Sequence, residues 1–439
     1  MSIMFSCCYE LEYLDLSNFD TSKVIDMKAM FSVCNKLKKI EGLDNFNTAS
    51  VENMDEMFSF CFELEYLDLS NFDTSNVKDM NGMFGSCYKL KTLKGLDKFN
   101  TAFVKNMNQM FSSCFELEFL DLSNFDTSNV TDMKEMFDSC YKLKNIKGLN
   151  NFNTSKVRDI SYMFSSCIEV ENLNLTNFDT SNIEEIEGIF FECYKLKEIK
   201  GLYHFKVNKI KDMSFMFAYC YELKKLDLSN FKTSNVTNMH SMFYGCNKLK
   251  QIKGLNNFNT SNVQDMRSMF KSCSELEFLD LSNFDTSNVI YMKLMFSGCN
   301  KLKQIKGLDN FNTNLVIDMS GLFQSCYELK KLDLSNFDTS NVVNMSYMFD
   351  RCKELSVIEG LQNLDTFQVE KMIGMFQLCS ELEYLDLSNF DTSNVTDMKL
   401  MFHFCSKLKV IDGISNFNTS KVGNFSGMFR LCSKLEYLD

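Results

Sequence analysis

Apolar residues recur along the chain in two alternating patterns that repeat from one end to the other. The first pattern, C-x-x-L-x-x-L-x-L, ends in strict alternation of apolar and polar positions, as at Cys61, Leu64, Leu67 and Leu69. Alternation with a period of two is typical of a half-buried β-strand. The sequence therefore predicts a short strand in every copy of this pattern.

The second pattern, V-x-x-M-x-x-M-F-x-x-C, has a different period. Between Val77 and Cys87 the apolar residues fall at positions i, i+3, i+6, i+7 and i+10. This spacing predicts one face of a short helix. Asn76 and Asp79 fit the helix N-cap and an acid in the first turn.

The spacing of the cysteines defines the repeat. From Cys8 to Cys432 the intervals alternate between 26 and 27 residues, so the full unit is a pair of repeats. A fixed period of this length predicts a solenoid of stacked repeats. We therefore expect an α/β repeat solenoid in which residues 1–439 form a single domain. It would contain about sixteen stacked repeats, each a strand, a turn and a short helix.

One glycine distinguishes the longer repeat from the shorter one. The shorter repeat reads L-D-L-S-N-F, whereas the longer one reads I-K-G-L-D-N-F or similar, as at Gly254. Glycine adopts backbone angles that other residues resist. An extra glycine in one strand of a stack predicts a β-bulge.

Charged residues also alternate between the two repeats. Glu63 and Glu65 flank a leucine in one repeat, and Lys89 and Lys91 take the same places in the next. Stacking in register would place each acid opposite a base above and below. Because exposed ion pairs contribute only about 0–1 kcal/mol each, we expect these columns to fix the register more than to add stability.

The alternation of charge fails near the ends of the chain. Asp333, Glu359, Asp386 and Asp412 are acids at the same place in consecutive repeats. We expect a solvated acidic edge here; stacked carboxylates that hold a divalent cation or a basic partner are the alternative.

The residue before the second strand leucine varies among the copies. It should face outward, because its neighbours along the strand face the core. Aromatic residues at such positions often anchor interfaces. The candidate binding face consists of these aromatic residues and the stacked acids: Tyr13, Tyr66, Phe119, Phe278, Tyr384, Asp333, Glu359, Asp386 and Asp412.

Composition restricts the chemistry. The net charge of −12 argues against nucleic-acid binding, and three scattered histidines argue against a histidine metal site. No segment is apolar enough to insert in a membrane, and no motif of a catalytic site or cofactor site occurs. We expect no enzyme activity, no metal and no cofactor. The cysteine column fits buried reduced thiols; disulfides and a metal site are the alternatives.

The repeat M-F-x-x-C-x-x-L-x-x-L-D-L-S-N-F-D-T-S-N-V-x-D-M is nearly undisturbed over residues 107–136. It resembles the BspA-like leucine-rich-repeat surface proteins of bacteria, whose repeats also occur in mycoplasma surface lipoproteins. The resemblance implies a leucine-rich-repeat solenoid at the cell surface or outside the cell that binds macromolecules in adhesion or host interaction, with no catalytic residues.

Two alternatives accompany this interpretation. The chain shows no export signal or anchor and has many thiols, which favours an intracellular scaffold for protein–protein interaction. Both ends lie inside a repeat and lack polar caps, which suggests a fragment or a remnant reading frame and predicts self-association through the uncapped ends.

Overall fold

The computed structural model describes residues 1–438, and it confirms a leucine-rich-repeat solenoid. The chain divides into two compact units. Unit 1 comprises Met1–Ile210 and Tyr219–Glu222, and unit 2 comprises Lys211–Ala218 and the residues from Leu223 onward. Each unit repeats the same arrangement of a short strand, a polar corner and a segment of turns.

The strands are three residues long, except the last, because only the alternating part of the first pattern is extended. In unit 1 they are β1 (Tyr13–Asp15), β2 (Lys39–Glu41), β3 (Tyr66–Asp68), β4 (Thr92–Lys94), β5 (Phe119–Asp121), β6 (Asn145–Lys147), β7 (Asn172–Asn174) and β8 (Glu198–Lys200). In unit 2 they are β9 (Lys225–Asp227), β10 (Gln251–Lys253), β11 (Phe278–Asp280), β12 (Gln304–Lys306), β13 (Lys331–Asp333), β14 (Val357–Glu359), β15 (Tyr384–Asp386), β16 (Val410–Asp412) and β17 (Tyr437–Leu438).

The strands pair in parallel, but mostly two by two. β1 pairs with β2, β3 with β4, and so on through β13 with β14, always across a 26-residue interval. The three-stranded sheet β15–β16–β17 is the one case among residues 1–438 in which pairing continues across a 27-residue interval. The double repeat seen in the sequence is therefore also the unit of strand pairing.

The predicted short helix is wrong. The segment from Met80 to Cys87 consists of consecutive turns, and no α-helix forms within residues 1–438. Alternate amides donate to the next repeat, as from Phe84 to the Met110 carbonyl at 3.0 Å and from Ser86 to the Ser112 carbonyl at 2.7 Å. These amides cannot also make the i→i−4 bonds of a helix, and such a short helix would be marginal alone.

The apolar spacing arises instead from the turns themselves. Amides between the ladder residues donate to the carbonyl three residues back, as from Met83 to Met80 at 3.3 Å. Gly82 and Ser86, four residues apart, both have positive φ values, of 53° and 59°. Tight turns of three to four residues place Met80, Met83, Phe84 and Cys87 on one side, where all four are fully buried.

The extra glycine of the longer repeat does not form a bulge, which corrects that prediction. Gly42 directly follows β2 with φ 84°, and it precedes a short 3-10 helix. The left-handed conformation ends the strand and turns the chain into that helix. The eight such helices within residues 1–438 are Leu43–Asn45, Leu96–Lys98, Leu149–Asn151, Leu202–His204, Leu255–Asn257, Leu308–Asn310, Leu361–Asn363 and Ile414–Asn416.

The core is built from columns of identical side chains. In unit 1, phenylalanines such as Phe31, Phe58 and Phe84 stack almost in parallel, with ring centroids 5.3 Å and 5.9 Å apart for these two pairs. All eighteen cysteines are free thiols, and fifteen are buried. The Cys87 thiol donates to the Phe58 carbonyl at 3.1 Å, which gives each buried thiol a partner in the preceding repeat rather than another sulfur.

The D-T-S-N motif joins neighbouring repeats. The Asp73 carboxylate accepts from the Ser75 amide at 2.9 Å, and the buried Thr74 hydroxyl donates to the Asn100 carbonyl at 2.9 Å. Asn76, which the sequence suggested as a helix N-cap, donates to the Ala49 carbonyl at 2.7 Å in the preceding repeat. The polar corner is therefore a set of structural hydrogen bonds, which explains why it recurs in so many copies.

Candidate binding surface

The first residue of each strand points outward, as the alternation of the strand predicts. Tyr66 is 47% exposed and Phe119 is 51% exposed, whereas Leu67, the next residue after Tyr66, is 2% exposed. Tyr13, Phe278 and Tyr384 occupy the same position, with exposures of 50%, 48% and 52%. We call the outward-facing residues of the strands the strand face.

Neighbouring polar groups hold the tyrosine rings in place. The Lys94 ammonium lies 5.4 Å from the centroid of the Tyr66 ring, and the Tyr66 hydroxyl donates to Asp68 at 3.0 Å. Lys39 lies 6.0 Å from the centroid of the Tyr13 ring. A cation over an aromatic face is attracted by the ring quadrupole, so these rings are oriented before any partner arrives.

The predicted charge columns form, and their contacts are closer in one direction than in the other. Lys142 and Lys144 lie 2.7 Å from Glu116 and Glu118, each across a 26-residue interval. Towards the following repeat the contacts within the described residues are longer, as for Lys303 and Glu328 at 3.9 Å. Glu275 contacts a base in each neighbouring repeat, Lys301 at 2.8 Å and Lys250 at 3.9 Å, so the predicted alternation forms there with one close and one more distant partner.

Where acid follows acid, the first residue of the preceding strand supplies a hydrogen-bond donor. Lys331 lies 2.7 Å from Glu359, and the Tyr384 hydroxyl donates to Asp412 at 2.6 Å. Tyr13 donates to Glu41 in the same way. The pKa of Tyr384 is raised to about 12, mainly by the hydrogen bond to Asp412. Partial burial and the negative charges of Asp412 and Asp386 contribute less, in the same direction.

The structure brings some of the predicted site residues together and separates others. Asp333 and Glu359 are partners in the β13–β14 register, and Asp386 and Asp412 are partners in the β15–β16 register beside Tyr384. Tyr13, Tyr66, Phe119 and Phe278 each lie in a different sheet. No three histidine, cysteine or carboxylate side chains of residues 1–438 are grouped so that they could hold a metal ion.

Clefts between the strand pairs were not anticipated from the sequence. The β2–β3 cleft has a volume of about 570 Å³ and is lined by Lys38, Lys39, Glu41, Tyr66 and Asp68, among others. A second cleft of about 380 Å³ separates β14 from β15. The sequence does distinguish the shorter repeat from the longer one. That difference in length alone does not show that the strand ladder is interrupted at the longer interval.

A column of aromatic residues that directly follow the repeat cysteines was also missed. Phe62, Tyr88, Phe115 and Tyr141 stack with successive centroid separations of 4.5, 4.5 and 4.6 Å. Phe62, Tyr88 and Phe115 are half-buried and Tyr141 is exposed. The signal was present in the sequence, because an aromatic residue follows the repeat cysteine in four consecutive copies.

Comparison with solved structures finds leucine-rich repeat proteins. A leucine-rich repeat protein from Bacteroides ovatus is 20% identical, with a TM-score of 0.52, over 86% of this chain and 87% of that chain. A leucine rich cell surface protein from Faecalibacterium prausnitzii is 17% identical, with a TM-score of 0.38, over 80% of each chain. No helix within residues 1–438 has both the length and the apolar character needed to cross a bilayer.

Comparison with protein families gives a match along nearly the whole sequence. No curated protein is detectably similar in sequence to this chain. One family model, however, matches residues 1–118, 105–225, 165–277, 194–306, 270–357 and 354–437, which is the repeated match expected of a repeat protein. The chain therefore belongs to the family described as Mycoplasma protein of unknown function, DUF285.

Proposed function

We propose that this protein binds other macromolecules without catalysis, through its strand face, in adhesion or host interaction at a microbial cell surface. The observation that carries the proposal is the set of half-exposed aromatic rings at the first strand position, such as Tyr66 and Phe119. Large aromatic side chains bury much area at little entropic cost and are enriched among the residues that dominate binding energy.

The scaffold beneath the strand face supports this role. Leu67 and Leu120 are almost fully buried directly beside the exposed rings, and ion pairs such as Lys91 with Glu65 at 2.8 Å link the paired strands. A surface whose backbone is already ordered loses little entropy on binding. The proposed site is therefore a preorganised surface rather than a cavity that closes over a small molecule.

The surface location is supported by the resemblance of the repeats to BspA-like surface proteins. The fifteen buried free thiols favour the second candidate, an intracellular scaffold, because disulfides are the rule outside the cell. Brief trypsin treatment of intact source cells, followed by mass spectrometry of the released peptides, distinguishes a surface protein from an intracellular scaffold. Release of repeat peptides before lysis supports the surface protein, and detection only after lysis supports the scaffold.

The binding role is tested with a double variant, Tyr66→Ala and Phe119→Ala. We expect binding of the purified protein to cultured host cells to fall at least about fivefold, while the melting temperature changes little because both rings are half exposed. Asn172→Ala is the matched control, since Asn172 is an exposed polar residue at the same position of β7. Unchanged binding by the double variant would refute the role of these aromatic residues.

A further inference from the structure

A cleft in the turn segments of unit 2 is distinct from the strand face. It has a volume of about 250 Å³ and is lined by residues of four consecutive repeats, among them Lys293, Ser320, Ser346 and Ile373. None of its lining residues belongs to a strand. We call it the turn cleft. Its volume is below that of pockets for drug-sized ligands, so it suits a compact molecule.

A missing side chain leaves room for the turn cleft. Gly321 occupies the place that Leu294 takes in the preceding repeat and Tyr347 takes in the following one. A Cβ atom on Gly321 would lie 2.4 Å from the Leu294 Cδ2 atom. Leu294 is half-buried and Tyr347 is 37% exposed. These two side chains therefore offer apolar contacts on either side of the glycine.

The lining of the turn cleft carries positive charge in a chain whose net charge is −12. It includes Lys293 and Lys371 but no carboxylate. The Lys293 ammonium lies 3.9 Å from Asp318, which compensates part of its charge. Lys371 forms no ion pair with Asp397, its partner in the parallel bridges between turn segments, or with any other acid of residues 1–438. Charge complementarity therefore favours an anionic ligand.

Lys371 also departs from the repeat. It is the one base among the bridge residues of the turn segments within residues 1–438. Other copies mostly carry an acid or amide, whose oxygen accepts from the amide two residues on, as Asn344 does from Ser346 at 3.0 Å and Asp318 from Ser320 at 2.7 Å. A lysine side chain has no acceptor. This repeat therefore gives up a structural hydrogen bond and places a positive charge at the turn cleft.

Two serine hydroxyls at the turn cleft lack partners. Ser320 and Ser346 are 6% and 5% exposed. Neither hydroxyl has a hydrogen-bond partner within the described residues 1–438. An unsatisfied buried polar group is unfavourable, and hydrogen bonds to a charged oxygen are stronger than those to a neutral one. Because serine has three staggered χ1 rotamers, these hydroxyls can turn towards an anion in the cleft.

We propose that the turn cleft binds a small organic anion in which a carboxylate or phosphate group is attached to a compact apolar group. The anionic group lies at the Lys371 ammonium and accepts hydrogen bonds from the two serine hydroxyls. The apolar group contacts Leu294 and Tyr347. Lys293 attracts the anion from the other end of the cleft. This site is additional to the strand face and does not depend on the function proposed for it.

Phenyl phosphate and benzoate are the probes, each titrated into the full chain at neutral pH and followed by isothermal titration calorimetry. We expect saturable binding, and the tighter of the two probes identifies the preferred anionic group. Phenol and benzamide keep the ring without the charge, and each should bind at least about tenfold more weakly than its anionic counterpart. Inorganic phosphate should bind at least about threefold more weakly than phenyl phosphate, because it lacks the apolar group.

Substitutions of lysine locate the site. Lys371→Gln should weaken binding of the tighter probe about tenfold, and Lys293→Gln about threefold, since Asp318 already compensates part of the second charge. Lys134→Gln is the matched control, because Lys134 takes the place of Lys293 in a repeat of unit 1 and has a similar side-chain exposure, 41% against 46%. It should leave binding unchanged.

Ser346→Ala tests the hydroxyl. It should weaken binding at least about threefold without lowering the melting temperature, because the hydroxyl has no partner to lose in the free protein. Absence of saturable binding of both anions, equal binding of the neutral counterparts, equal effects of Lys371→Gln and Lys134→Gln, or unchanged binding by Ser346→Ala would each overturn the inference. The Tyr66 and Phe119 double variant should bind the probe normally, which keeps this test separate from that of the proposed function.

Discussion

The Lys147 ammonium lies 2.7 Å from the Asp121 carboxylate, and the two residues are register partners across the β5–β6 pair. This hydrogen bond, together with those from Ser123, lowers the pKa of Asp121 to about 2. A carboxyl whose pKa is lower in the folded chain contributes stability above its unfolded pKa of about 4. That contribution is lost as the pH falls through about 2.

The first prediction concerns this pair. Asp121→Asn should lower the free energy of unfolding by about 0.2–1 kcal/mol at neutral pH, as expected of a largely exposed ion pair. The difference between the variant and the parent should shrink as the pH falls from about 4 towards about 2, because the parent carboxyl is then increasingly protonated. Urea denaturation followed by circular dichroism at neutral pH and across this range measures the difference.

One repeat of the chain already carries asparagine in place of the aspartate, and it provides the reciprocal control. Asn174 occupies the place of Asp121 on β7, opposite Lys200 on β8. Asn174→Asp should therefore create the missing pair and raise the free energy of unfolding by a similar amount at neutral pH. A loss of stability in this variant, or a pH-independent effect of Asp121→Asn, would contradict the assignment of a stabilising ion pair to these positions.

The second prediction concerns the threonine of the D-T-S-N motif. The Thr127 hydroxyl is buried, donates to the Asn153 carbonyl at 3.0 Å and accepts from the Asn153 amide at 2.7 Å. Thr127→Val preserves the shape but leaves two backbone groups of the next repeat without a partner. Leaving a buried polar group unsatisfied costs about 1–3 kcal/mol, which urea denaturation would detect.

Thr131→Val is the matched control for this substitution. Thr131 is exposed, and its hydroxyl donates to the Lys105 carbonyl at 3.1 Å. Water can replace that bond, so we expect a change in the free energy of unfolding within about 0.5 kcal/mol. Equal losses for both threonines would show that the corner hydroxyls do not join the repeats in the way described.

The sequence was sufficient to predict the solenoid, the strands and the outward position of Tyr66, because these follow from periodicity and alternation. It was misleading for the segment from Val77 to Cys87. A spacing of three residues occurs both in a helix and in consecutive turns, and the choice depends on whether amides such as that of Phe84 donate to the next repeat. A single repeat carries no information about that competition.

The charge columns show the same limit. Alternation of Glu116 with Lys142 correctly predicted the ion pair. It could not show that most strands do not pair across the following 27-residue interval, because the order of charges along the chain is the same whether or not those strands pair. The binding role of Tyr13, Phe278 and the other residues of the candidate face stays a prediction, since exposure alone does not identify a partner.

The third prediction concerns the extra glycine. Gly360 has φ 77°, and a Cβ atom there would lie 2.4 Å from Ser335 Cα. Gly360→Ala should cost at least about 2 kcal/mol, because both the conformation and the backbone contact oppose a side chain. At Gly423 the nearest atom is 3.9 Å away, so Gly423→Ala should change the free energy of unfolding by less than about 1 kcal/mol. Similar costs at the two glycines would contradict this account.

The buried thiols give the last prediction. Burial raises the pKa of the Cys87 thiol to about 12, and Cys61 and Cys114 are shifted in the same direction by the same cause. Thiol reagents react with the thiolate, which these cysteines rarely form and do not expose. In the folded protein Ellman's reagent should therefore react quickly at the exposed Cys7 and slowly at the buried cysteines.

Unfolding in urea should release the protected thiols together. Fifteen cysteines are buried, while Cys8 and Cys432 are half-buried and should react at intermediate rates. Cys7→Ser should remove the fast phase and leave the urea-dependent phase unchanged, which assigns the fast phase to one residue. Rapid reaction of many thiols in the native protein would show that the cysteine column is open to solvent. Failure to release thiols in urea without a reductant would instead indicate disulfides, and the hydrogen bonds from each thiol to the preceding phenylalanine carbonyl would then be absent.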